Sequence, residues 1–327
     1  MKIVRLLLLG LGFLLLLYLF AQLNPAAILG SLHHVGWSGF GLVLAGGLLL
    51  TASLSAGLYP LLLSRGSAGL VFAARQVRDS AGDILPFTQI GGIALGMRAL
   101  VLGGIKPVQA ITAGMVDVTT ELLAQSLFIL AGIGLAAPKI RTDPYLGPYY
   151  GWLITGTLLF AAGIFVFAFL QMASSRLVEV MFRPTSFGGN AALFREAIHS
   201  LYRQRSRVAL SVALHFMAWC ASGLWLWLVF QVLGRPISPG SAIAIQSLLE
   251  ALRSATVFVP AAVGIQEAGY AALAPVFGLA PEAGLAASLL RRARDIVVGI
   301  PVLLIWQWVE ARRAGRSPAN TGNENPG

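Results

Sequence analysis

Five stretches of roughly twenty predominantly apolar residues, at about 4–23, 37–60, 108–136, 149–172 and 208–231, dominate this chain. An α-helix rises about 1.5 Å per residue, so each is long enough to cross the roughly 30 Å hydrocarbon layer of a bilayer. In lipid every backbone N–H and C=O must find its partner inside the segment, which leaves helices and closed barrels. A barrel would show short segments of alternating hydrophobicity, and none is present. The chain is 57% hydrophobic and 11% charged, against roughly 45–50% and 25% in a soluble domain. The expected fold class is an all-α polytopic membrane protein. The basic N-terminal run "MKIVRLLLLGLGFLLLLYLF" is read as an uncleaved first span rather than a signal peptide, because it is long and lacks a small-x-small cleavage site.

A sixth segment is interrupted. "AASLLRRARDIVVGIPVLLIWQW", residues 286–308, carries Arg291, Arg292, Arg294 and Asp295. If those charges marked the helix end, only 296–309 would remain in lipid, which is too short to cross. The helix is therefore expected to open near Pro281, a residue suited to a helix start, with the charges near mid-depth. Arg291, Arg294 and Asp295 then share one face. Arg292 points elsewhere and is expected to snorkel or pair with a neighbour.

Two further regions, 64–104 and 238–279, each hold an amphipathic piece, a Pro and a Gly/Ala-rich apolar piece. They are related at one offset of 174 residues: Gly66-Ser67-Ala68 recurs as Gly240-Ser241-Ala242, Ser80-Ala81 as Ser254-Ala255, Pro86 as Pro260, Gly104 as Gly278 and Pro107 as Pro281. This implies an internal repeat with halves at about 34–136 and 208–309 in a single membrane domain spanning 1–309. Cytoplasmic loops carry an excess of Lys and Arg. If both regions are re-entrant hairpins, then Lys2, Arg5, Arg65, Arg75, Arg78, Lys106, the 173–207 loop and the basic tail all fall inside, with Lys139, Arg141 and Arg235 outside. The repeats are then inverted, with six full spans, two hairpins and both termini cytoplasmic; if the hairpins cross, the count becomes seven or eight. Inverted repeats with broken helices are common in secondary transporters. The net charge of +10 follows this topology and anionic headgroups rather than nucleic acid. Within the basic 173–207 loop, Leu193, Phe194, Ile198, Leu201 and Val208 follow helical spacing. That suits either a helix lying on the anionic membrane surface or a solvated connector. The tail 310–327 is expected to be disordered.

The repeat counterpart of the charged helix, "PVQAITAGMVDVTTELLAQ", carries Asp117 and Glu121, which align with Arg291 and Asp295. A charge at the bilayer centre costs at least about 2.5–3.5 kcal/mol on insertion scales, so several together point to a substrate or ion pathway, against a purely structural ion-pair network. The second hairpin adds Gln246, Glu250 and Arg253, then "GIQEAG" with Gln266 and Glu267; the first offers Gln89 and Arg98. The substrate-binding candidates are Arg253, Arg291, Arg294, Glu267 and Gln266. The charge-network or proton-coupling candidates are Asp117, Glu121, Glu250 and Asp295. The lone Cys220 excludes an internal disulfide and any CxxC site, and His33, His34, His199 and His215 have no ligand-like company in the sequence. No metal, cofactor or catalytic residue is expected, and the absence of GxxxxGK[ST] speaks against ATP use.

The stretches "LPFTQIGGIALGMRAL", "EALRSATVFVPAAVGIQEAGY" and "SLLRRARDIVVGIPVLLIWQ" resemble the membrane region of lysylphosphatidylglycerol synthases. Within that superfamily they are most similar to hopanoid-biosynthesis-associated HpnL-type proteins. The resemblance covers about residues 4–310 and implies a bacterial inner-membrane protein. In the synthases this region is linked to moving an aminoacylated lipid between leaflets, and a cytosolic acyltransferase domain follows. Here the chain stops about 18 residues after the last span, so no aminoacyl transfer is expected. The leading expectation is a flippase-like translocase or lipid-handling transporter for a polar-headed lipid, hopanoid-related in the closest resemblance. Its partners would be membrane lipids, with anionic headgroups at the cytoplasmic face, and lipid-biosynthesis enzymes. The alternatives are a membrane enzyme acting on a lipid-linked (pyro)phosphate and a non-catalytic scaffold of a lipid pathway.

Overall fold

The structure, a computed structural model, describes residues 2–62, 66–85, 89–145, 147–173, 191–256 and 262–314. Those residues form α-helices joined by turns and short 3₁₀ segments, with no strand among them. In chain order the helices are α1 (Lys2–Gln22), α2 (Pro25–Ala56), α3 (Ala68–Ile84), α4 (Gln89–Leu102), α5 (Pro107–Ile140), α6 (Tyr150–Ala173), α7 (Ala191–Arg203), α8 (Arg205–Val232), α9 (Pro239–Ala255), α10 (Ile265–Leu273) and α11 (Pro281–Ala314). Four helical segments are both long and apolar enough to cross a membrane: α2, α5, α6 and α8. The 34-residue α11 equals α5 in length, but its arginines keep it below that apolar standard.

Local chemistry sets the boundaries. Helix α2 starts twelve residues before the apolar run that announced it, because Asn24 caps the N–H of Ala27 at 3.2 Å and Pro25 follows. It bends where Gly36 takes φ 57° and ψ −179°, which is where the apolar run begins. The two ambiguous regions each resolve into a pair of short helices. Ser67 caps α3 through the N–H of Leu70 at 3.2 Å, and Ser238 caps α9 through the N–H of Ser241 at 3.1 Å. Each pair ends in a glycine in the left-handed region, Gly104 at φ 97° and Gly278 at φ 80°, three residues before the prolines that open α5 and α11. The left-handed turn favours glycine, and the matching positions 174 apart give the recurrence a conformational reason. Pro86 and Pro260 lie outside the described residues.

Packing between the two sets of elements is reciprocal. Helix α3 lies on α11 and α9 lies on α5; α3 packs on α4 as α9 does on α10; α5 lies on α8 as α11 does on α2. Helices α2 and α8 face each other across the middle. The largest apolar core joins Val43 of α2, Ile129 and Ile133 of α5, Trp225 and Phe230 of α8, Leu249 of α9, Tyr270 of α10 and Leu290 of α11. Helix α6 packs along α5 with one face and with the other exposes Trp152, Leu159, Phe165 and Phe169, as expected of a surface facing acyl chains.

Two expectations change. Helix α7 does not offer its apolar face to a membrane surface: Phe194, Ile198 and Leu201 are buried, and the first two pack with Ile111 and Met115 of α5. Arg195, His199 and Arg203 face outward, so the amphipathic pattern reports a helix docked on protein. Residues 174–190 of that loop lie outside the described residues. Residues 310–314, assigned to a disordered tail, continue α11, where Arg98 pairs with Glu310 at 2.9 Å and Arg313 donates to Leu102 O at 2.6 Å. The rest of the tail lies outside the described residues.

Close helix contact makes a prediction. A methyl added at Gly92 would collide with the backbone of α3, and one at Gly284 with the backbone of α10, whereas Gly163 of α6 meets nothing within 4 Å. Overpacking costs about 1–3 kcal/mol, while Gly→Ala in an open helix gains up to about 1 kcal/mol. Gly92→Ala and Gly284→Ala should therefore lower the unfolding temperature in detergent, and Gly163→Ala should leave it unchanged or raise it.

Candidate functional site

The charged side chains converge because several helices repeat the same spacing. On α3, Arg75, Arg78 and Asp79 stand at i, i+3 and i+4, with Asp83 one turn further. On α5, Asp117, Glu121 and Gln125 follow one another at i+4. Helical neighbours at these spacings share a face, and the two faces meet. Arg75 Nη2 lies 2.6 Å from Glu121 Oε1, and its Nε lies 2.9 Å from the Asp79 carboxylate. Arg78 bridges both acids of α5, with Nη1 3.1 Å from Asp117 Oδ2 and Nη2 2.7 Å from Glu121 Oε2. His215 of α8 completes the group, its Nε2 2.9 Å from Asp117 Oδ1. Gly57 sits directly against the imidazole and leaves it room.

A second group gathers on α9, α10 and α11. Glu250 accepts from Gln246 at 2.9 Å and from Gln125 of α5 at 3.3 Å, and it faces Arg253 at 3.8 Å and Arg291 at 3.9 Å. Arg291 also donates to Gln246 Oε1 and to the Tyr270 hydroxyl, both at 3.3 Å. Glu267 is fully buried; one oxygen accepts from Arg292 at 2.8 Å and the other from the N–H of Gly264 at 2.8 Å, capping α10. Gln266 donates to Ser288 at 3.2 Å. Arg294 holds Asp295 at 2.8 Å and donates to Gly47 O at 2.7 Å and Thr51 Oγ1 at 3.0 Å. The Trp225 ring lies 5.8 Å beneath both Arg291 and Arg294, within cation–π range. The two groups join where Asp83 of α3 meets Arg253 at 3.5 Å and where Gln125 reaches Glu250.

All nine candidate residues named from sequence thus lie in the polar interior. Asp117 and Glu121 do not hold Arg253, Arg291 or Arg294. They are taken by Arg75 and Arg78, whose side chains are only 8% and 16% exposed. Those two arginines had been counted as cytoplasmic loop charges. Their spacing with Asp79 on α3 carried the same signal that singled out "LLRRARD". His215, read as lacking company, lies between Asp117 of α5 and Gly57 just past the end of α2; a contact 98 residues away in sequence leaves no local mark. Arg292 pairs with a neighbour rather than snorkelling. Arg98 is half exposed and pairs with Glu310, outside the polar interior.

Asp117, Glu121 and His215 bring potential metal-ligand atoms within 4.8 Å of one another, yet the set does not fit a metal ion. Each of the four carboxylate oxygens already faces a guanidinium or the imidazole, and two adjacent guanidinium charges oppose a further cation. A cavity of about 30 Å³ lies beside this group, lined by Ser55, Arg75, Arg78, Gly96, Met97 and Asp117 among others. It is large enough for water and too small for a lipid headgroup.

Removing one partner from a buried ion pair strands the other charge and costs about 3–5 kcal/mol, whereas replacing both by apolar residues is often close to neutral. Glu121→Ala should therefore strongly lower thermal stability in detergent. Arg75→Met combined with Glu121→Leu should recover more than half of that loss, measured as a double-mutant comparison of unfolding temperature.

The family profile described as lysylphosphatidylglycerol synthase TM region matches residues 3–302. No curated protein and no solved structure matches the chain. The matched residues hold both hairpin regions and the whole charged interior, so this chain belongs to the lysylphosphatidylglycerol synthase transmembrane-region family.

Proposed function

We propose that the protein is a lipid-handling transporter, a flippase-like translocase that carries a polar-headed lipid between leaflets. The observation that carries this reading is the position of the charges along the two long helices. Asp117 and Glu121 stand ten and fourteen residues from Pro107, and Arg291 and Asp295 stand ten and fourteen from Pro281. At about 1.5 Å per residue this is about 15–21 Å into each helix, near the middle of a layer about 30 Å thick. Ionised groups held there at such cost are most readily explained by a polar path. Membership of a lipid-related membrane family supports the same reading.

The four hairpin helices have 17, 14, 17 and 9 residues, each too short to cross alone at about 1.5 Å per residue. We therefore read them as re-entrant pairs in an inverted repeat. The reciprocal packing supports two equivalent units, and the loop arginines favour cytoplasmic termini in a bacterial inner membrane. Arg253, Arg291 and Arg294 remain 19%, 17% and 14% exposed while Glu250 beside them is 5% exposed, so their outer edges are the ones available to a phosphate or carboxylate. Gln266 and Glu267 would contact hydroxyl or amino groups of the head, and the acyl or polycyclic tail would stay in lipid, which admits hopanoid-related cargo. Glu250 would hold Arg253 and Arg291 in place and Asp295 would hold Arg294, while Asp117 and Glu121 hold Arg75 and Arg78. The cavity beside the first charged group admits only water, so a headgroup would enter when α3 and α11, or α9 and α5, part. No aminoacyl transfer is proposed.

Leaflet-resolved analysis of lipids in reconstituted vesicles tests the reading. Losing a hydrogen bond to a charged group costs about 1.5–3 kcal/mol, so Arg291→Ala or Arg294→Ala should slow translocation about tenfold or more while the protein still elutes as folded. Translocation by the variants at the wild-type rate across anionic and zwitterionic headgroups would contradict it and favour a scaffold whose buried charges are structural.

A further inference from the structure

Counted by sign, the two charged groups differ. In the second, Asp83, Glu250, Glu267 and Asp295 face Arg253, Arg291, Arg292 and Arg294, and the charges balance. In the first, Asp79, Asp117 and Glu121 face only Arg75 and Arg78. Among the described residues the first group is therefore short of one positive charge, unless His215 supplies it. Asp79 is 27% exposed, whereas Asp117 and Glu121 are only 4% and 7% exposed; an unbalanced charge beside those two is costly, and a metal ion does not fit there because their carboxylate oxygens are already taken.

The geometry points to a proton-binding site formed by His215 and Asp117, in which the proton is taken up at His215 Nδ1. The imidazole is fully buried. Its Nε2 faces one carboxylate oxygen of Asp117, whose other oxygen Arg78 holds, so Nε2–H donates to Asp117 and the remaining lone pair lies on Nδ1; the bond made by one ring nitrogen decides the role of the other. That nitrogen has no hydrogen-bond partner in the structure. Proton uptake there makes an imidazolium and brings the first group to neutrality. The charged surroundings are those of α5 (Asp117 and Glu121) and, behind them, α3 (Arg75, Arg78 and Asp79). Helix α2 closes over the ring at Gly57 and carries no Asp, Glu, Lys or Arg. Helix α7 contributes Tyr202, which bonds to Thr119. Helices α9 and α11 direct Glu250, Arg291 and Arg294 toward the second group. Asp117, Arg75 and Arg78 also line the water-sized cavity. Using this proton to drive a transport cycle rests on the translocase reading; the existence of the site does not.

The test is nitrogen NMR of the full chain in lipid nanodiscs with ¹⁵N-labelled histidine. His215 is assigned by comparison with a variant in which His33, His34 and His199 are all glutamine, so that correct folding of a His215 variant is not required. At neutral pH His215 should show both ring nitrogens protonated. Asp117→Asn removes the excess negative charge and should convert the same signal to neutral imidazole. Asp83→Asn, in the balanced group, should leave it unchanged. A neutral His215 in the wild type from pH 5 to 8 would overturn the site. So would a signal that responds to Asp83→Asn and not to Asp117→Asn. Because this readout involves no lipid movement, a failure of translocation and a failure of the proton site are told apart.

Discussion

An ionised side chain surrounded by hydrocarbon must find an opposite charge or water, and in this protein that requirement organises the interior. Seven carboxylates and six guanidiniums meet between helices that are otherwise apolar. Ion pairing of this kind is weak evidence for stability, since well-packed apolar residues often do as well. Its structural consequence is clearer: α3, α5 and α8 cannot separate from one another, nor α9, α10 and α11, without exposing a charge to lipid or admitting water. Glycines on α2 and at its C-cap serve the same end. Gly47 makes room for the Arg294 guanidinium and Gly57 for the His215 ring, so one apolar helix lines both charged groups.

The reciprocal packing gives that interior two similar edges. Each long central helix is covered by the first hairpin helix of the other half, α5 by α9 and α11 by α3. The ends repeat the arrangement more loosely. Arg313, near the end of α11, donates to Leu102 at the close of the first hairpin, and Lys139, near the end of α5, lies 5.5 Å over the Phe277 ring at the close of the second. Lys139 and Arg313 are 174 residues apart, the offset of the repeat. One contact is a hydrogen bond reinforced by the nearby Arg98–Glu310 pair, the other a cation–π contact.

Much of this was legible before any coordinates. Length and apolarity identified the long helices, and the impossibility of a fourteen-residue span placed Pro281 at the start of α11 although its charges lie inside it. Gly104 and Gly278 aligned in sequence and share a left-handed backbone. What sequence could not supply was pairing. Asp117 and Arg291 occupy equivalent positions at the 174-residue offset; such equivalence fixes place within each half and says nothing about which charge is nearest. The partners of Arg75 and Arg78 were not legible, because an amphipathic helix shows that it has a charged face and not which neighbouring helix covers it. The apolar face of α7 was read correctly as a face, but whether lipid or protein covers it depends on where α5 lies.

The central claim is that two oppositely oriented halves bring these charges together at mid-depth, and orientation can be measured directly. With Cys220 replaced by serine, single cysteines are placed at Ser67 and Ser238, the exposed caps of α3 and α9, and probed with a membrane-impermeant maleimide in intact cells and in inverted vesicles. The account predicts that Ser67→Cys reacts only in inverted vesicles and Ser238→Cys only in intact cells. Reaction of both from the same side would contradict it.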